Sequence, residues 1–190
     1  MRKITLSIFA IIAFAASFTA CKKDPVENPV VIEEELITTL KLTVTDSNNV
    51  SQSFVYKIEN GFGSTTQGNI QIDTIRLTSN YVYSYTLGVL NESENPAEDV
   101  TGEVISEKDE HLFFLASAPA TGAGSIAQSD GNTDNGGHPF NQAGKLTTGV
   151  MGSGTLTVTL LHEPTDKHGT STAAAGGETD AEAVFPVVLQ

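Results

Sequence analysis

Residues 36–190 are expected to fold as an all-β domain, a single β-sandwich of immunoglobulin-like or transthyretin-like arrangement, with a small barrel as the second choice. Three observations predict it. Apolar residues alternate with polar ones in short runs, the period of a half-buried strand. Polar turns separate the runs at intervals of about 8 to 12 residues, the spacing of a sandwich. No window beyond the first twenty residues sustains a 3.6-residue period.

The elements follow in order. In LITTLKLTVTD, Leu36, Leu40, Leu42 and Val44 share one parity, and Thr39, Lys41, Thr43 and Thr45 the other. Asp46 to Asn49 make the turn. SFVYKIE places Phe54, Tyr56 and Ile58 together, and NGFGSTTQGN (60–69) is a glycine-rich loop. IQIDTIRL reads as a third strand. YVYSYTLGVL (81–90) reads as a fourth, with Tyr81, Tyr83, Tyr85, Leu87 and Val89 on one side. After the acidic loop 91–99, VTGEVISE and HLFFLAS read as two more strands. TLTVTLLH (155–162) turns Leu156, Val158 and Leu160 inward. AEAVFPVVL closes the chain, and Pro186 should confine that strand to an edge or a bulge, because proline has no N–H for a ladder. Two Gly-, Ala-, Ser- and Thr-rich stretches, 116–137 and 164–179, read as long loops. Loops of that length in a compact domain tend to carry function.

The first 35 residues have another character. Arg2 and Lys3 precede ITLSIFAIIAFAASF, uncharged from Ile4 to Phe18. That run is short for a membrane span, which needs about 20 apolar residues, and has the form of a signal-peptide core over residues 1–20. It ends in Thr19, Ala20 and Cys21, the only cysteine. Small residues directly before a cysteine resemble a bacterial lipobox, with Phe18 standing where leucine is usual. The resemblance implies diacylglyceryl attachment to Cys21, cleavage before it, and acylation of the new amine, palmitate being the usual chain. Several acyl chains at about 0.8 kcal/mol per buried CH₂ hold a protein stably on a membrane. Lys22, Lys23 and Asp24 resemble the export-influencing residues that follow the cysteine in Bacteroidetes lipoproteins. An outer-membrane lipoprotein is therefore expected, on either face. DPVENPVVIEEE (24–35), with Pro25, Pro29 and five acids, reads with Cys21 as an extended tether over 21–35.

Charge narrows the partners. The chain has 10 basic and 23 acidic residues. Losing residues 1–20 removes Arg2 and Lys3 and no acid, so eight bases face 23 acids, a net charge of −15. Nucleic acid and anionic lipid are bound through Lys and Arg, so neither is expected as a partner. Cations suit the charge, and so does plain solubility.

Two candidate sites emerge. Glu107, Asp109 and His111 share a parity if one strand runs through them. His162 ends another strand beside Glu163, and His168 lies six residues on. Two histidines and an acid at one end of a sandwich would suit Zn²⁺ or Cu²⁺. The other reading is that each is a solvated or hydrogen-bonded strand-end residue. Asp130, Asn132 and Asp134 are spaced as the first ligands of a calcium loop. However, Asn135 stands at the sixth position and Asn141 at the twelfth, where such loops use glycine and glutamate. A tight turn is the competing reading. Catalysis finds no support: there is no GxSxG, the one cysteine serves as an anchor, and no glycine-rich loop leads from a strand into a helix.

ELITTLKLTVTD, LNESENPAEDVT, EKDEHLFF, TGTLTVTLLHEPTDKH and GGETDAEAVFPVV together resemble a family of small lipoproteins from flavobacteria and other Bacteroidetes. Its members often carry the label "type 1 periplasmic binding fold superfamily". That label denotes a two-lobed α/β protein about twice this size, whereas this chain is strand-rich throughout. Some relatives accompany outer-membrane receptors for scarce nutrients. The resemblance thus implies a non-catalytic binding module that captures a metal ion or other nutrient for such a receptor. The alternative is a structural or adhesive surface module that binds protein or glycan.

Overall fold

The computed structural model describes residues 36–190; the signal run, Cys21 and the tether lie outside the described residues. In chain order the strands are β1 (Thr39–Thr45), β2 (Ser51–Ile58), β3 (Ile70–Ile72), β4 (Ile75–Leu77), β5 (Val82–Asn91) and β6 (Glu98–Asp99). Helix α1 (Thr101–Ser106) precedes β7 (His111–Ala118), β8 (Ile126–Ser129), β9 (Ala143–Thr148) and β10 (Gly152–His162). Helix α2 (Thr172–Ala175) and β11 (Glu178–Leu189) complete the domain. The strands form two sheets, an all-β sandwich. One has the order β3-β2-β1-β5-β9-β8, with β6 on β5, and the other β4-β11-β10-β7.

The alternation explains the packing. Leu40, Leu42, Val44, Leu87 and Val89 are buried from the first sheet, and Leu156, Val158, Leu160, Phe185 and Val187 from the second. All belong to one apolar core. Full burial of such side chains stabilises by about 1.5–3 kcal/mol each. Tyr56 packs edge-on against Phe185 across the sheets, ring centroids 6.0 Å apart. The first turn closes as its residues dictate: Asp46 Oδ1 accepts from the N–H groups of Asn48 and Val50, and Asn49 takes φ +59°.

Five sequence expectations are corrected. IQIDTIRL is two strands, not one. β3 pairs with β2 in the first sheet, and β4 pairs parallel with β11 in the second. Asp73 marks the crossing: its N–H donates to the Val55 carbonyl, and its carboxylate accepts from the Val55 N–H. VTGEVISE is helix α1. Val100 and Val104, one helical turn apart, are both buried, and Thr101 Oγ1 accepts the Val89 N–H and so ties the helix to β5. The stretch 116–137 is not one loop, because β7 runs on to Ala118 and β8 lies within it. The stretch 164–179 likewise holds α2 and the start of β11.

Finally, the Pro186 strand is interior rather than an edge. The short β4 covers β11 only from Val187 to Leu189, so beside Pro186 that flank of β11 is open. The missing N–H costs no ladder bond there.

Neighbouring residues on β11 test the alternation. Phe185→Ala should cost about 3–5 kcal/mol, and exposed Val184→Ala within about 0.5 kcal/mol of zero. Urea denaturation of the two variants checks this.

Candidate metal centre

β7 and β10 pair antiparallel in a register that sets His111 opposite His162. Next along the same rows come Phe113 opposite Leu160 and Leu115 opposite Val158. The two imidazoles therefore prolong the core-facing rows to the end of the second sheet. Their rings stack, 4.8 Å between centroids and 9° between planes.

β11 supplies the carboxylate. Its register against β10 shifts between Leu160, which faces Ala181, and Leu161, which faces Thr179. Asp180 is thus the extra residue of a β-bulge, a device that bends a strand and re-aims a side chain. Asp180 Oδ2 lies 3.6 Å from His111 Nε2. One ligand atom each from His111, His162 and Asp180 all fall within 4.8 Å of one another. Among the described residues this is the one such group of three. Gly177 permits the approach of β11. It has φ +83°, and a side chain there would collide with the His162 carbonyl.

His111 is buried, and its surroundings favour the neutral ring. Its Nδ1 lies 3.1 Å from the Glu107 carbonyl. A carbonyl only accepts, so this contact is a hydrogen bond in the tautomer that carries its proton on Nδ1, which in the neutral ring leaves the Nε2 lone pair for a metal. Burial pushes the imidazole below its ordinary pKa, the Glu107 carbonyl works the other way, and neighbouring His162 adds to the lowering. The neutral ring is the form that ligates metals, and a backbone carbonyl on the second nitrogen is the usual way such a ring is oriented. Donors bonded to one tetrahedral ion at about 2.0–2.1 Å stand roughly 3.4 Å apart. The present set is wider than that, and its two rings lie nearly parallel, so closing on one ion requires turning at least one imidazole about its side-chain bonds. Two imidazoles and a carboxylate suit Zn²⁺ or Cu²⁺, and three protein ligands leave a coordination position open.

The remaining candidates lie elsewhere. Residues 107–110 are not strand, since α1 ends at Ser106 and the Glu110 N–H returns to the Glu107 carbonyl. The shared parity of Glu107, Asp109 and His111 is thereby lost. Glu107 gives its carbonyl, and its side chain is exposed. Asp109 accepts from the N–H and Nδ2 of Asn135, at 2.8 and 2.9 Å. Glu163 is exposed at φ +47°, its N–H on the Glu110 carbonyl. His168 stands against His138 instead. Nor do the calcium-loop residues converge. Asp130 pairs with Lys145 at 2.7 Å, Asn132 Oδ1 accepts the Ala143 N–H, and Asp134 bonds Lys167. Asp180 escaped the sequence reading because strict alternation groups it with exposed Glu182. Only the bulge reverses that.

Asp134 and Lys167 form a buried ion pair at 2.9 Å, side chains 4% and 8% exposed. Lys167 Nζ also donates to the Lys108 carbonyl. It thereby joins the segment after β10 to the segments before β7 and β9. Burial opposes ionisation of Asp134, but the hydrogen bond from Lys167, the His138 N–H and the charge of Lys167 outweigh it and hold the pKa at about 2.

No family model matches the chain, and no curated protein or solved structure matches it either.

An Asp with an unfolded pKa of about 3.9 and a folded value of about 2 contributes stability that is complete above the unfolded value and is lost as pH falls through the folded one. Lys167→Met leaves this carboxylate buried without its cation and should cost about 3–5 kcal/mol at neutral pH. The difference from wild type should shrink as pH falls toward about 2 and Asp134 protonates. Urea denaturation across that range checks both size and sign.

Proposed function

We propose that the chain is an outer-membrane lipoprotein, anchored through Cys21, whose β-sandwich captures a transition-metal ion for an envelope receptor without catalysing a reaction. The observation that supports it is the convergence of His111, His162 and Asp180 at one end of the second sheet. The ion would be Zn²⁺ or Cu²⁺, for which a His₂-carboxylate set is suited. Calcium prefers six to eight oxygen ligands, and this set offers few.

The open coordination position fits a carrier, since a receptor ligand could enter it before the protein ligands let go. The mature charge of −15 favours cations near the surface. A lone cysteine after an apolar signal run accounts for the anchor, and the acidic tether would hold the domain away from the lipid.

Two experiments test the reading. Cys21→Ser should abolish fatty-acid labelling and release the protein from the membrane fraction; unchanged labelling would sink the anchor. His111→Ala with His162→Ala should remove one equivalent of Zn²⁺, read by equilibrium dialysis and elemental analysis, while circular dichroism stays unchanged. Unchanged stoichiometry would exclude this centre. Retention of no metal by the wild-type protein would favour the adhesive alternative, with a protein or glycan partner.

A further inference from the structure

A second cluster of histidines and carboxylates stands outside the centre described above. A cavity of about 320 Å³ is lined by Asp109, Asp134, His138, Asp166, Lys167 and His168, among others. Its contributors come from three segments: the turn before β7, the tip of the β8–β9 connection, and the segment after β10. Asp109 precedes His111 by two residues, and Pro164, also on the wall, follows His162 by two. The cavity therefore opens at the same end of the sandwich.

We propose that this cavity is a second transition-metal site, with the imidazoles of His138 and His168 as its ligands. Their rings meet edge-on, centroids 5.7 Å apart and planes at 76°. Two imidazoles bonded to one ion through nitrogens about 2.0–2.1 Å away put their centroids roughly 5 Å apart, so the two rings already stand close to that separation.

Asp134 sets the orientation of His138. Its Oδ1 accepts the His138 N–H at 2.8 Å, and its Oδ2 faces His138 Nδ1 at 3.5 Å. A carboxylate on one ring nitrogen leaves the other to ligate, the arrangement that orients many metal-bound histidines. Asp134 can do this because Lys167 and burial fix its own position. Gly136 lets the tip fold this tightly, since a Cβ there would come within 2.9 Å of the His138 ring.

His168 is placed by Asp166, whose Oδ1 accepts the His168 N–H at 2.9 Å. Asp166 also brings a carboxylate to the cavity wall. Lys167 does not oppose a cation strongly, because its charge is matched by Asp134 at contact distance. Both histidines are exposed, so an ion reaches them without unfolding.

The test is Zn²⁺ stoichiometry of the purified protein, by calorimetric titration with elemental analysis after dialysis. Four proteins are compared: wild type, His138→Ala with His168→Ala, His111→Ala with His162→Ala, and all four changes together. The expected equivalents are two, one, one and none. Both loop histidines are exposed, so their removal should leave the urea midpoint within error, and that measurement excludes loss through unfolding.

Cu²⁺ loading adds an independent readout. Electron paramagnetic resonance of the His111/His162 double variant should still show nitrogen hyperfine splitting, and the quadruple variant should not. If the His138/His168 double variant keeps the wild-type stoichiometry, the second site is overturned and the strand-end centre is untouched. If wild type binds one equivalent that only the His138/His168 changes remove, the second site stands and the strand-end centre fails.

Discussion

The register of β10 against its two neighbours is the constraint from which the rest of this domain follows. β10 is paired along its length by β11 on one side and from Thr155 to His162 by β7 on the other. Because side chains alternate, a one-residue slip would turn Leu156, Val158 and Leu160 away from the core. Those side chains are essentially inaccessible to solvent, so a slip would forfeit several contributions of about 1.5–3 kcal/mol each. The same register places His162 opposite His111. The juxtaposition of the two histidines therefore needs no local motif. Apolar packing several residues away holds it in place, and the imidazoles occupy the last rungs of rows that are otherwise hydrophobic.

Where the rows end, the balance of forces changes. Phe113 and Leu160 are buried beside one another in the interior. One rung further, two rings with polar atoms must be accommodated. Burial makes a neutral His111 easier to hold than a charged one, and the Glu107 carbonyl satisfies the nitrogen that carries the proton. The bulge then brings in Asp180. An unpaired buried polar group costs about 1–3 kcal/mol. Among the described residues no buried side-chain polar atom lacks a hydrogen-bond partner. The polar end of the sandwich is thus accommodated with its buried side-chain polar atoms paired.

Much of the architecture was legible in the sequence because it rests on alternation. β1, β5 and β10 carry their buried residues on the parity that their apolar residues define. The same reasoning put His111 and His162 on strand ends that could meet. It failed where a local event overrides the period. α1 is driven by Val100 and Val104 on one helical face, a single turn too short to show as periodicity. The break in IQIDTIRL depends on Asp73 finding the backbone of Val55 on a strand distant in sequence. β9 is built from AGKLTT, where Leu146 is the only large apolar residue and pairing with β5 and β8 supplies what side chains do not. Asp180 is the sharpest case. Its position relative to Ala181 and Ala183 argues for the outer face, and only the three-dimensional pairing of Leu160 and Leu161 reveals the extra residue.

Two ways of holding an imidazole coexist at this end of the molecule. His111 and His162 are fixed by strands, whose positions the whole core determines. His138 and His168 lie on connecting segments, which have no such support and would lose orientation if left alone. Lys167 supplies what the core cannot. By bonding both Asp134 and the Lys108 carbonyl from a nearly enclosed position, it fastens three segments to one another. A buried ion pair gains little net stability against an apolar substitute of similar shape, so stability alone gives it weak reason to be there. Its effect is geometric. The ion pair fixes the carboxylate that faces His138, and it does so within a few residues of His111 and His162. The loops thereby acquire, through one charged contact, the positional definition that the strands obtain from packing.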